Sequence, residues 1–169
     1  MAGPRVVLVG PMGSGKTTVG RALAALWQVE VRDTDADIET SQGRTISDIF
    51  VESGEEHFRT LERAAVATAL AEHDGVLSLG GGAVLDAGTR EALQGRQVVF
   101  LQVGLAEAVK RVGLGTSRPL LLGNVRARVK ALLDERTPIY ASVATMVVET
   151  DSRAPAEIAA EIDRRIKET

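Results

Sequence analysis

The chain alternates short, wholly apolar runs with longer stretches in which apolar residues recur every three or four positions. Val6-Val7-Leu8-Val9 is the first such run, β-branched and uninterrupted as a buried parallel strand is. Val19, Leu23, Ala24 and Leu26 then recur at helical spacing. Residues 29–33 predict a short second strand that ends in acids, with Asp33-Thr34-Asp35 at its carboxyl end. A polar stretch leads to Ile46–Phe50 and on to a long helical pattern carrying Phe58, Leu61, Ala65 and Ala69, which Ser53-Gly54 divides into two helices. Residues 75–79 predict a third strand, 86–94 a helix, 97–103 a fourth strand and 106–112 a helix. A charged amphipathic helix follows over 125–135, with a break and new start across Arg136–Tyr140 and a fifth strand over 144–148. Pro155 opens the last helix at the first-turn position that favours proline.

Five apolar strands alternating with helices predict an α/β fold, a parallel sheet wrapped on both faces. At 169 residues the chain is the size of one domain, taken as 1–169, with no internal repeat or low-complexity tail.

Within that fold, phosphate chemistry is signalled by Gly10-Pro-Met-Gly13-Ser14-Gly15-Lys16-Thr17-Thr18, a full match to Gly-x4-Gly-Lys-Ser/Thr. Glycines let the backbone turn tightly and aim its N–H groups inward as an anion nest. Lys16 adds a positive charge at the outer phosphates, and Thr17 offers a hydroxyl to a magnesium ion. The helix that starts there turns the positive end of its dipole toward the same anion. Strand, glycine loop and helix in this order predict binding of a nucleoside triphosphate.

Charge and composition narrow the second substrate. With net charge −3 and no dense Lys/Arg run, the chain lacks a footprint for nucleic acid, and aromatics at 3% leave little for bases to stack on. The absence of cysteine excludes disulfides and thiolate metal sites and fits a reducing compartment. His57 and His73 show no ligand spacing and read as solvated surface residues. The first strand begins almost at the N-terminus, and no apolar stretch approaches a membrane span, so a cytoplasmic protein with no membrane partner is expected.

Several further residues can carry chemistry. Asp33 and Asp35, alternating on a strand end, would face opposite sides, one toward a metal and one toward an acceptor; a helix cap is the plainer alternative. Arg59 and Arg136 each sit beside an apolar face, where a guanidinium can grip a carboxylate in two hydrogen bonds. Each also has a plainer reading, Arg59 as an ion pair with Glu62 and Arg136 as a cation near a helix C-terminus. Gly80-Gly81-Gly82 suits close approach of a ligand to the backbone, or a tight strand-to-helix turn. Phe50 and Phe58 can be core or pocket wall.

Taken together, the phosphate loop, Asp33-Thr34-Asp35, Phe58-Arg59-x-x-Glu62, Gly80-Gly81-Gly82, Arg118-Pro-Leu-Leu121 and Arg136-x-Pro138-x-Tyr140 resemble the bacterial shikimate kinases over nearly the whole chain. The resemblance implies a three-layer P-loop fold like that of nucleoside monophosphate kinases, with five parallel strands in the order 2-3-1-4-5. It also implies transfer of the γ-phosphoryl of ATP to the 3-hydroxyl of shikimate by a monomer.

By the same resemblance, Gly13, Ser14, Gly15, Lys16, Thr17 and Thr18 bind nucleotide, with Arg111, Arg153 and Pro155 flanking adenine. Thr17 and Asp33 hold Mg2+. Asp35 holds or deprotonates the acceptor hydroxyl, Arg59 and Arg136 bind the acid's carboxylate, Gly80, Gly81 and Gly82 bind the acid through backbone N–H groups, and Phe50 and Phe58 stand where the family walls its ring. Arg118, on a glycine-bracketed lid at about 113–124, would meet both substrates and serve catalysis with Lys16 and Asp35. A kinase of another polyhydroxy acid such as gluconate, or a nucleotide-binding regulator without chemistry, is the competing expectation.

Overall fold

The computed structural model describes residues 3–115 and 124–169. Strands β1 (Val6–Val9), β2 (Val31–Asp33), β3 (Val76–Ser78), β4 (Val98–Gln102) and β5 (Met146–Glu149) form one parallel sheet in the order 2-3-1-4-5. Between and after them lie α1 (Lys16–Trp27), α2 (Thr34–Gln42), α3 (Ile46–Ser53), α4 (Glu55–Glu72), α5 (Ala87–Ala92), α6 (Leu105–Gly115), α7 (Val125–Val143) and α8 (Pro155–Lys167). A 3-10 turn spans Ala83–Leu85.

The central strand is apolar throughout because both faces are covered. Val6 and Leu8 point with Val76, Val99 and Leu101 toward α1 and α8. Val7 and Val9 point the other way, with Leu77, Leu79 and Phe100, toward Val66 and Leu70 of α4 and Tyr140 of α7. A smaller cluster of Ile38, Ile49 and Phe58 binds α2, α3 and α4 together. Gly54, at φ 87°, makes the expected division between α3 and α4.

Four local expectations give way. Asp33-Thr34-Asp35 is not an extended strand end: the Asp33 carboxylate accepts from Asp35 N at 2.8 Å and Ala36 N at 3.3 Å, so a helix starts at Thr34. Asp35 therefore sits on the first turn of α2 rather than alternating with Asp33 across a strand. The break expected over Arg136–Tyr140 is absent, and α7 runs through Pro138. Proline removes a helical hydrogen bond, yet the residues beyond it are fixed by the core, with Tyr140 fully buried and its ring 5.1 Å from that of Phe100. Helix α6 continues to Gly115, past the expected end at 112. Finally, His73 is half-buried, not solvated; its Nε2 lies 2.9 Å from Val76 O and 3.2 Å from Glu30 O, which requires the proton on Nε2 and ties the loop before β3 to the residue that leads into β2.

Candidate active site

The loops that follow β1, β2 and β3 open into one cavity of about 620 Å³, which α3, α4 and α7 wall on the outer side. Ligands of open α/β sheets collect at this carboxyl edge.

The loop after β1 is built on conformations that only glycine adopts easily. Gly13 and Gly15 have φ 80° and 92°, and a Cβ on Gly10 would lie 2.7 Å from Leu101 O. Ser14 is fully buried beneath the loop. Lys16 donates to Gly10 O at 2.6 Å and Pro11 O at 3.0 Å. Burial lowers its pKa to about 8, against the pull of Asp35 and Asp33, so the ammonium persists at neutral pH. Thr17 stands exposed on the first turn of α1, and the Thr18 hydroxyl donates to Gly15 O. From the far side, Arg111 of α6 donates to Gly13 O at 2.7 Å and to Glu107.

Across the cavity stand the carboxylates. Asp35 Oδ1 is buried with no hydrogen-bond partner among the described residues. Burial, then the charges of Asp33 and Glu62, raise its pKa to about 6, with Lys16 opposing. A Cβ on Gly80 would lie 2.5 Å from that same oxygen, so the glycine is what lets the carboxylate reach the cavity floor. Gly80 N in turn donates to the buried Thr34 hydroxyl at 3.3 Å.

Next to them is a cationic corner. Arg59 pairs with Glu62 at 2.8 Å, and a Cβ on Gly82 would crowd the Arg59 guanidinium, 2.8 Å from Cζ. Glu62 is only 4% exposed, and its pKa is raised by burial against the hydrogen bond and charge of Arg59 and the charge of Arg136. Arg136 Nε is buried without a partner among the described residues. Two guanidiniums face one buried carboxylate, with the exposed Glu55 also reaching Arg59 at 3.4 Å, and the unpaired Arg136 N–H leaves the corner a donor to spare for an organic acid. Phe50 and Phe58 stack with centroids 4.9 Å apart, and both line the cavity, Phe58 from a buried position and Phe50 from an exposed one.

Residues 12–167 match the family model described as shikimate kinase. The chain belongs to the shikimate kinase family. A shikimate kinase of Salinispora tropica is 63% identical over 159 residues, covering 94% of this chain and 95% of the relative. One of Thermobifida fusca is 61% identical over 156 residues, covering 92% and 91%. The solved shikimate kinase from Acinetobacter baumannii, in complex with shikimate, has a TM-score of 0.91 at 38% identity, over 99% of this chain and 94% of that one. The resemblance read from the motifs is therefore the right one, and the family's ATP-dependent kinase chemistry and sheet order go with it.

Of the residues singled out in the sequence, Gly13, Gly15, Lys16, Thr17, Thr18, Asp33, Asp35, Arg59, Gly80, Gly81, Gly82 and Arg136 line the one cavity. Arg111 reaches the loop from outside the cavity wall. Arg153 does not enter it: its guanidinium is held by Glu157, Glu161 and Glu149 O, and Pro155 is exposed at the start of α8. Arg118 lies outside the described residues. Sequence reasoning missed Ile46 of α3 and Val129, Leu132 and Leu133 of α7, which complete the apolar wall. Their spacing on α7 was the available signal, but apolar helix positions point to core as readily as to a pocket. Among the described residues no helix is long and apolar enough to cross a membrane.

Proposed function

We propose that this chain transfers the γ-phosphoryl of ATP to the 3-hydroxyl of shikimate, giving ADP and shikimate 3-phosphate. One observation carries the reading: a single cavity holds a buried carboxylate oxygen without a donor, Asp35 Oδ1, and a buried guanidinium nitrogen without an acceptor, Arg136 Nε, beside a phosphate loop. Unpaired buried polar atoms are costly, and a hydroxylated acid satisfies both at once.

The chemistry follows from positioning and charge. Phosphate oxygens give Lys16 Nζ a charged acceptor in place of two neutral carbonyls, while the loop N–H groups hold the rest of the chain of phosphates. Arg59, oriented by Glu62, and Arg136 grip the carboxylate, which turns the ring's hydroxyls toward Asp35. With a pKa of about 6, Asp35 is ionised at neutral pH yet basic enough to take a proton as the oxygen attacks. Magnesium suits the donors present, the exposed Thr17 hydroxyl and the Asp33 oxygen left over from capping α2, and it would neutralise phosphate charge. The proposal extends to adenine flanked by Arg111, Arg153 and Pro155, and to Arg118 on a lid at about 113–124 acting on the transferring group. Its setting is a cytoplasmic monomer that acts on small molecules, and the lack of cysteine fits a reducing compartment.

ADP release coupled to a readout, with shikimate, quinate, gluconate and nucleoside monophosphates in turn, tests the reading. Turnover confined to shikimate and abolished by chelation of magnesium is expected. Preference for gluconate would overturn the substrate, and ATP binding with no turnover of any acceptor would make the chain a regulator. Light scattering tests the monomer.

A further inference from the structure

Tyr140 lies four residues beyond Arg136 on α7, and its side chain takes no part in the cavity wall. Its ring is fully buried against Phe100, and its hydroxyl lies 2.5 Å from the carbonyl oxygen of Gly81, to which it donates. Burial raises the phenol's pKa, so the donor keeps its proton across the working range of pH.

The carbonyl of Gly81 and the N–H of Gly82 belong to one peptide group, and no cis peptide occurs among the described residues. In a trans peptide these two dipoles point in opposite directions. A carbonyl drawn into the core by Tyr140 thus turns the Gly82 N–H away from the core, toward the cavity that Gly82 lines beside Arg59. That N–H makes no hydrogen bond within the described residues, although Gly82 itself is buried. Three glycines in a row have little steric preference of their own to hold a peptide plane. The phenol supplies the restraint that the sequence Gly80-Gly81-Gly82 lacks.

We propose that Tyr140 is a positioning residue for the acid substrate: its hydroxyl fixes the Gly81–Gly82 peptide so that the Gly82 N–H is presented to the acceptor, and it registers this peptide with Arg136, one turn away on the same helix. The hydrogen bond thereby couples the glycine floor to the carboxylate grip. Nucleotide binding, on the other side of β1, does not depend on it. The inference rests on the proposed reaction, and the assays separate the two.

Tyr140→Phe keeps the ring and its contact with Phe100 and removes the hydroxyl, which donates to Gly81 O and also lies beside the Arg136 guanidinium. Its KM for shikimate should rise about five- to thirtyfold, which is the loss of one buried hydrogen bond and of the order it imposes, with KM for ATP within twofold of wild type. Titration calorimetry with shikimate alone should show the same weakening. As a control, Phe100→Leu loosens the packing around the ring but spares the hydroxyl; it should lower the melting temperature at least as much as Tyr140→Phe while leaving KM for shikimate within twofold. An unchanged KM for shikimate in Tyr140→Phe, an equal rise in both KM values, or the same rise in Phe100→Leu would overturn the proposal. If wild type does not phosphorylate shikimate, the proposed reaction fails instead; if it does and Tyr140→Phe matches it, the positioning role alone fails.

Discussion

Asp35→Asn should stabilise the fold while it removes the activity. The carboxyl is pushed from 3.8 to about 6, chiefly by burial and then by Asp33 and Glu62, with Lys16 only partly compensating. A folded-state pKa above the unfolded one means that the native chain holds the extra proton between about pH 4 and 6, so stability declines as pH rises through that window and does not return above it. The rise corresponds to a ceiling of about 3 kcal/mol. Removing the charge also strips Lys16 of the stronger of its two counter-charges, and burial has already lowered the lysine's pKa to about 8. A net gain of about 1–2 kcal/mol above pH 6 is therefore the expectation, or roughly 2–8 °C in melting temperature for a chain of this size. Thermal melts of both proteins from pH 4 to 7.5 read it: the curves should converge near pH 4 and separate by pH 6.5. Turnover should fall by about a hundredfold or more with ATP binding retained. A variant no more stable than wild type at pH 7.5, or a gap that does not change with pH, would refute the argument that Asp35 is a strained, buried carboxylate held for function.

Three further substitutions address the other groups. Arg136→Lys keeps the charge and loses the planar fork, so KM for shikimate should rise about tenfold with KM for ATP unchanged; equal losses would point to misfolding. Gly80→Ala places a methyl 2.5 Å from Asp35 Oδ1 and should cut turnover by at least tenfold, measured by ADP release, while calorimetric ATP affinity holds; normal turnover would show that the carboxylate moves freely. For Arg118→Ala, turnover should drop by about a thousandfold with small changes in either KM, and a rate within about threefold of wild type would remove Arg118 from the mechanism.

How much of this was legible beforehand depended on whether the determinant was local. The β1–loop–α1 unit was fully readable, because a buried strand, three glycines and a lysine at fixed offsets carry their own conformation. Helix α2 was legible only as the capping alternative at Asp33 because its apolar content is slight: Thr34 and Ile38 are its buried residues, and two hydrogen bonds to the Asp33 carboxylate decide where it begins. Pro138 gave the opposite error. The local rule to break at proline is sound, but the buried Tyr140 beyond it lets tertiary packing prevail. Burial of Glu62 between two arginines was half-legible, since the spacing from Arg59 suggested a pair and nothing in the sequence said it would be inside. The link from Tyr140 to Gly81 spans 59 positions and has no sequence signal at all.

The sheet order gives the proposed transfer its direction. β1 lies between β3 and β4, and the chain leaves β1 toward β2 on one side but leaves β4 toward β5 on the other, which opens a crevice above their carboxyl ends. The phosphate loop crosses this crevice at Gly10, where Leu101 O leaves no room for a side chain. On the β4 side Arg111 holds the loop; on the β3 side stand Asp35, the three glycines and the arginine pair. Lys16 lies between them, within the field of Asp35 and Asp33. A phosphoryl group passing from nucleotide to acid under this reading travels across β1, from one half of the sheet to the other, and although Leu77, Phe100 and Tyr140 share one core beneath, the polar groups proposed to hold each substrate stand on different sides of β1. That separation is why substitutions at Arg136 or Tyr140 should disturb one KM only, and why Lys16, which belongs to both halves, offers no such split.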